Sequence, residues 1–129
     1  MSHLILVRHG QSEWNLEKKF TGWVDVDLTS IGKLEACKAG EYIREQNLNI
    51  DYFYSSFQLR AINTLKLIKD TLRDKKEPIR AWQLNERHYG ALTGLSKDEM
   101  KKKLGENIIH QFRRSWDIKP DPLSKNNPY

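Results

Sequence analysis

The sequence predicts an α/β fold of three layers, with helices on both faces of a mainly parallel sheet. Two observations carry this reading. Short apolar runs alternate with longer stretches in which apolar residues recur at helical spacing, and the segments between successive strands are long enough for right-handed crossovers. At 129 residues, 38% of them hydrophobic and 30% charged, the chain has material for one core of modest size. Residues 1–129 are therefore expected to form a single α/β domain.

The first strand is predicted over Leu4–Arg8, from the apolar run Leu4-Ile5-Leu6-Val7. A long polar loop follows. Thr29 is the expected N-cap of a helix from Ser30 to Gln46, which Asn47 and Asn49 stop, with Ile31, Leu34, Cys37 and Ile43 as its apolar face. Tyr52–Ser55 reads as a short buried strand. A second helix over Gln58–Leu72 repeats Leu59, Ile62, Leu65, Ile68 and Leu72 at helical spacing and ends before the charged turn Arg73-Asp74-Lys75-Lys76. Pro78 introduces a third strand, Ile79–Gln83. Ser96-Lys97-Asp98-Glu99 is a capping box that opens a helix to Leu104, closed by Gly105, and Asn107–Trp116 forms another helical segment. Asp117–Tyr129, with Pro120, Pro122 and Pro128, has loop composition. Three strands cannot cover the flanks of such long helices, so the domain is expected to be incomplete, as though truncated.

Composition narrows the function classes. The formal net charge is +5, but the basic residues form no continuous stripe with interleaved aromatics, so nucleic acid is not an expected partner. Lys101-Lys102-Lys103 reads as a solvated helix face. Arg8, Arg60, Arg87, Arg113 and Arg114 instead fall near the motif segments, which fits steering of a small, multiply charged anion. No apolar run approaches a membrane span, and the N-terminus shows no signal-peptide pattern, so no membrane partner and a cytoplasmic location are expected. Cys37, the only cysteine, cannot form an internal disulfide and reads as a core thiol. No His-x-x-x-His, Cys-x-x-Cys or acidic cluster has ligand spacing, so no metal is expected; Asp25 and Asp27 read as a loop entering a turn.

The chemistry concentrates at Arg8-His9-Gly10, where an imidazole stands beside a permanent cation at the C-terminal end of the first predicted strand. Open α/β sheets bind ligands at that edge. A neutral imidazole is a competent nucleophile toward phosphorus, and a guanidinium holds phosphoryl oxygens in a fixed fork. Behind the histidine, Gln11-Ser12-Glu13-Trp14-Asn15, Phe20-Thr21-Gly22-Trp23 and Asp25-Val26-Asp27-Leu28-Thr29 crowd hydroxyl, amide and glycine groups that suit an oxyanion. Trp14, Trp23, Trp82 and Trp116 read as packing residues.

With these strings in view, the chain resembles the histidine phosphatase superfamily, and within it the 2,3-bisphosphoglycerate-dependent phosphoglycerate mutases. The matching residues are Leu6 to Asn15, Phe20 to Trp23, Tyr54-Ser55-Ser56 with Leu59-Arg60-Ala61, and Leu84-Asn85-Glu86-Arg87-His88-Tyr89-Gly90-Ala91-Leu92. The Glu-Arg-His-Tyr-Gly string together with Arg113-Arg114 points to the mutases in particular, and the likeness runs from the first strand to the final residues.

The resemblance implies a phosphoglycerate mutase-like fold and a glycolytic and gluconeogenic isomerase that interconverts 3- and 2-phosphoglycerate through a phosphohistidine. It makes His9 the nucleophile, Arg8 and Arg60 the clamp on the equatorial phosphoryl oxygens, and Glu86 the general acid and base. Asn15, Thr21 and Gly22, assisted by Ser12, become secondary phosphate ligands. Tyr89, Lys97, Arg113 and Arg114 become the residues that hold the substrate carboxylate and the non-reacting phosphate. The implied cofactor is 2,3-bisphosphoglycerate, which primes His9, and the complete protein is expected to be a homo-oligomer. One departure is plain: the family carries a second catalytic histidine in an Ala-His-Gly or Gly-His-Gly string, and neither His3, His88 nor His110 lies in such a string. Two alternatives therefore stand beside the mutase: a phosphatase of the same superfamily, and a catalytically defective anion-binding fragment.

Overall fold

The computed structural model describes residues 2–129. Its elements in chain order are α1 (Glu13–Leu16), α2 (Ser30–Glu45), β1 (Tyr54–Ser55), α3 (Leu59–Leu72), β2 (Ile79–Arg80), α4 (Lys97–Leu104) and α5 (Glu106–Arg114), with 3-10 turns at Trp82–Leu84 and Gly90–Leu92. They fall into two compact units: residues 2–12 with 27–85, and residues 13–26 with 86–129.

In the first unit, β1 and β2 pair in parallel, with Tyr54 opposite Ile79 and Ser55 opposite Arg80. The α/β class and the parallel pairing are as expected, and the helical crossover α3 joins the two strands. Backbone bonds from Ile79 N–H to the Phe53 carbonyl (2.8 Å) and from Ala81 N–H to the Ser55 carbonyl (2.9 Å) complete the ladder. Beyond it the chain turns into the 3-10 segment, so the third strand is shorter than its sequence suggests.

The predicted strand Leu4–Arg8 forms no regular element and belongs to no ladder among the described residues. Leu4 is 82% and Leu6 84% exposed. Apolar composition favours a strand only where a neighbouring backbone supplies hydrogen bonds and a face to pack on, and the two-stranded sheet supplies neither here.

The helices are capped as predicted but bury different faces. Thr29 Oγ1 accepts the Gly32 N–H at 3.1 Å at the start of α2. The buried residues of α2 are Gly32, Ala36 and Gly40 rather than Ile31 and Leu34, which are 56% and 70% exposed, and Cys37 is only half-buried. The reason is close approach of α2 and α3. A Cβ on Gly40 would stand 2.8 Å from Thr71 Cβ and 3.2 Å from Ile68 Cα. Across the contact, α3 buries Arg60, Thr64 and Ile68, spaced four apart.

The second unit is built on Phe20, Tyr89, Leu92 and Ile109, with Met100, Leu104 and Phe112 packed around them. Segments 18–20 and 94–97 are tied by Phe20 N–H to Leu95 carbonyl (3.0 Å), Gly94 N–H to Phe20 carbonyl (2.9 Å) and Lys97 N–H to Lys18 carbonyl (2.8 Å). Ser96 caps α4, its hydroxyl accepting the Glu99 N–H at 3.3 Å. The tail is anchored too. Asp121 carbonyl accepts the Ala91 N–H at 2.7 Å, and the Tyr129 ring stands edge-on to Trp14 with centroids 5.2 Å apart. Trp23, Trp82 and Trp116 are 52%, 62% and 95% exposed, so packing explains none of the three.

Candidate active site

In the first unit, the Arg8-His9-Gly10 segment is seated by its neighbours through backbone hydrogen bonds. Gly10 N–H donates to Thr64 Oγ1 at 3.1 Å, and that hydroxyl donates to the Arg60 carbonyl at 2.7 Å. One buried hydroxyl thus joins the histidine segment to the first turn of α3, where Arg60 sits. A Cβ on Gly10 would lie 2.2 Å from the Gly32 carbonyl oxygen, so residue 10 presses directly on the first turn of α2. Gln11 is held as well: its N–H donates to Glu35 Oε2 at 2.7 Å, and its carbonyl accepts the Thr29 N–H at 2.9 Å. The sequence marks Gly10 as part of a motif, and the structure supplies the packing reason for it.

His9 is half-buried and its Nδ1 lies 2.7 Å from the Gly10 carbonyl oxygen. A carbonyl oxygen only accepts, so Nδ1 carries the proton, and in the neutral ring the lone pair resides on Nε2. The backbone thereby selects the tautomer. Arg60 is fully buried, Ser12 likewise, and Ser12 makes an isolated antiparallel bridge with Leu28. Arg8 is exposed. Buried cations occur almost only where an anionic or polar environment compensates their desolvation, which gives Arg60 a different standing from a helix-surface arginine.

In the second unit, Glu86, Tyr89 and Arg113 form one electrostatic group. Burial pushes the Tyr89 hydroxyl above its ordinary range, the Glu86 carboxylate adds to that, and Arg113 and Arg87 oppose it, Arg113 also through a hydrogen bond to the Tyr89 side chain. Tyr89 packs on Phe20 with ring centroids 5.1 Å apart, and Lys97 Nζ stands 5.9 Å from the Phe20 ring centre. Arg87 turns elsewhere, its Nη1 donating to the carbonyls of Phe112 (3.1 Å) and Ser115 (2.8 Å) at the end of α5. Those bonds satisfy orphan carbonyls of the helix terminus that bears Arg113 and Arg114. Arg114 is exposed.

Thr21 and Gly22 are buried, and Gly22 has φ +57°. The sequence reads Gly22 as leaving room for an oxyanion. In the structure its missing Cβ also clears the Arg87 carbonyl and the Tyr89 N–H, each 3.1 Å from where that carbon would be. Asn15 lies on α1, a single turn that the sequence reading takes as loop. Trp23, read from sequence as packing, donates its indole N–H to the Glu86 carbonyl at 2.7 Å. No sequence signal distinguishes that contact from packing.

A parallel strand pair joined by a helical crossover, with the His9 imidazole tautomer fixed by the Gly10 carbonyl, defines the class of the protein as parallel α/β. The model of the histidine phosphatase superfamily (branch 1) matches residues 4–126, and the chain belongs to that superfamily. Over 129 residues it is 84% identical to a 2,3-bisphosphoglycerate-dependent phosphoglycerate mutase of Pelagibacter ubique (strain HTCC1062), covering all of this chain and 54% of that protein. It is 50% identical to the protein of the same name from Caulobacter sp. (strain K31), covering all of this chain and 55% of that one. Among solved structures, phosphoserine phosphatase in complex with 3-phosphoglyceric acid from Entamoeba histolytica matches with a TM-score of 0.67 and 29% identity, over 88% of this chain and 53% of that chain. The chain spans about half the length of the curated relatives it matches. No helix among the described residues is long and apolar enough to cross a membrane.

Proposed function

We propose that this chain carries the phosphoryl-accepting and substrate-holding residues of a cytoplasmic 2,3-bisphosphoglycerate-dependent phosphoglycerate mutase, an isomerase of glycolysis and gluconeogenesis. The observation that carries the reading is the bond between His9 Nδ1 and the Gly10 carbonyl. It directs the Nε2 lone pair toward use as a nucleophile and stabilises the imidazolium that forms when Nε2 takes a phosphoryl group. The 84% identity to a protein named for this activity supports the same conclusion.

In the whole protein, His9 Nε2 attacks one phosphorus of a bisphosphoglycerate, the bond from that phosphorus to its ester oxygen breaks, and Glu86 donates a proton to the departing alkoxide. In the reverse half the free hydroxyl of a phosphoglycerate gives its proton to Glu86 as its oxygen attacks the phosphohistidine, so that gain of phosphate at one hydroxyl and loss at the other interconverts the two isomers. Arg8 and Arg60 neutralise the oxygens that bear charge in transit, with Ser12, Asn15, Thr21 and Gly22 as further ligands. Tyr89, Lys97, Arg113 and Arg114 hold the carboxylate and the second phosphate. This cation-rich donor set fits a carboxylated bisphosphate, and 2,3-bisphosphoglycerate supplies the phosphoryl group that charges His9. In the whole protein these residues belong to one larger α/β domain, and the whole protein is a homo-oligomer.

The test is incubation of the chain with 2,3-bisphosphoglycerate carrying labelled phosphorus. An acid-labile, base-stable label on His9, absent from His9→Ala, is expected. A label on Ser12 or Ser55 overturns the assignment. Release of label to water with no exchange between 3- and 2-phosphoglycerate favours the superfamily phosphatase, and tight anion binding with no label favours the defective binding fragment.

A further inference from the structure

We propose that Trp23 is a positioning residue for Glu86, its indole N–H fixing the backbone from which the carboxyl group projects. The inference rests on the reading of Glu86 as the general acid and base. The bond from Trp23 Nε1 to the Glu86 carbonyl is 2.7 Å, short for an N–H donor. Trp23 is 52% exposed, so burial of its ring does not account for its place. The ring also meets His88 edge-on at 6.1 Å, and His88 Nδ1 accepts the Gly90 N–H at 2.8 Å. The indole therefore grips the 86–90 segment at its first residue, while His88 folds that segment back on itself.

The preceding residue explains how the grip is aimed. Gly22, at φ +57°, lies against Arg87 and Tyr89 so closely that a Cβ would be 3.1 Å from backbone atoms of both. That close approach brings residue 23 alongside Glu86. A proton donor serves a leaving alkoxide only when held at hydrogen-bond distance, and misplacement by about 1 Å costs on the order of a hundredfold in rate. One directional bond to the carbonyl is suited to preventing such a displacement, because the Glu86 carbonyl is two bonds from the Cα that bears the carboxyl stem.

Trp23→Phe keeps an aromatic ring and removes the donor. The chain is labelled at His9 in parallel from 2,3-bisphosphoglycerate, whose alkoxide needs a proton to depart, and from p-nitrophenyl phosphate, whose phenolate leaves with little help. The expected result is a loss with 2,3-bisphosphoglycerate that exceeds the loss with p-nitrophenyl phosphate by about tenfold or more. Equal losses would make Trp23 merely structural and overturn the proposal, as would no loss. A second readout needs no turnover: the Glu86 backbone carbonyl carbon and side-chain carboxyl carbon are compared by NMR at one fixed pH in both chains. Displaced resonances of both carbons in Trp23→Phe are expected, and superimposable resonances overturn the proposal. Absence of label from the unsubstituted chain with both donors would count against the mutase reading, and the Glu86 carbon resonances then decide Trp23 by themselves.

Discussion

Gly90→Ala tests whether the loop carrying Glu86 and Tyr89 is shaped by collision with the tail. Gly90 has φ +52°, and a Cβ there would lie 2.1 Å from the Asp121 carbonyl oxygen and 3.1 Å from its carbon. A left-handed conformation costs an ordinary residue about 1–2 kcal/mol. To restore van der Waals distance the tail must also retreat by about 1 Å, and the oxygen that retreats is the one accepting the Ala91 N–H at 2.7 Å. Losing that bond costs about 1 kcal/mol net. The sum is about 2–3 kcal/mol, a large fraction of the stability of a small domain. The assay is urea unfolding followed by tryptophan fluorescence and far-ultraviolet circular dichroism, with Gly90→Asn beside it. Asparagine tolerates positive φ, so it relieves the strain but retains the Cβ. Gly90→Asn is therefore expected to remain clearly destabilised. A Gly90→Ala loss below about 1 kcal/mol, or full recovery in Gly90→Asn, would refute the collision argument.

Glu86→Gln keeps the shape and removes the titratable group, so His9 labelling from 2,3-bisphosphoglycerate is expected to slow by about two to four orders of magnitude while phosphoglycerate binding, measured calorimetrically, changes little; a loss of tenfold or less would make Glu86 structural. Arg114→Ala is expected to behave in the opposite sense, weakening phosphoglycerate binding by about ten- to a hundredfold, the worth of a charged hydrogen bond, while His9 still accepts phosphate. Burial alone would raise the Asp27 carboxyl, but bonds from Asn63 (2.7 Å) and the Leu28 N–H (2.6 Å), helped by Lys33, outweigh it and hold the group below the ordinary carboxylate range. Its contribution is therefore present above the unfolded pKa of about 3.9 and lost as pH falls through the lower folded value, so Asp27→Asn should flatten the acid limb of a thermal-melting profile below about pH 4. An unchanged acid limb would contradict this.

The sequence by itself determined those features whose physics is local or chemical. Thr29 and Ser96 cap their helices because a side-chain oxygen needs only the N–H groups a few residues ahead. Gly105 ends α4 with φ +91° for an equally local reason. The Arg8-His9-Gly10 string suggested phosphate chemistry through an imidazole next to a guanidinium, whereas the Glu86-to-Gly90 string stood out only through its resemblance to the mutases. Tertiary structure decided which face of α2 is buried: spacing favoured Ile31 and Leu34, but close approach to α3 selected Gly32, Ala36 and Gly40, since small side chains let two backbones meet. It likewise decided that Leu4–Arg8 joins no ladder among the described residues, because strand formation depends on a neighbour that no local pattern supplies. The His9 tautomer and the hold of Trp23 on Glu86 were also beyond reach of the sequence. Each depends on where a carbonyl oxygen points, which is a property of the folded backbone and not of any residue's identity.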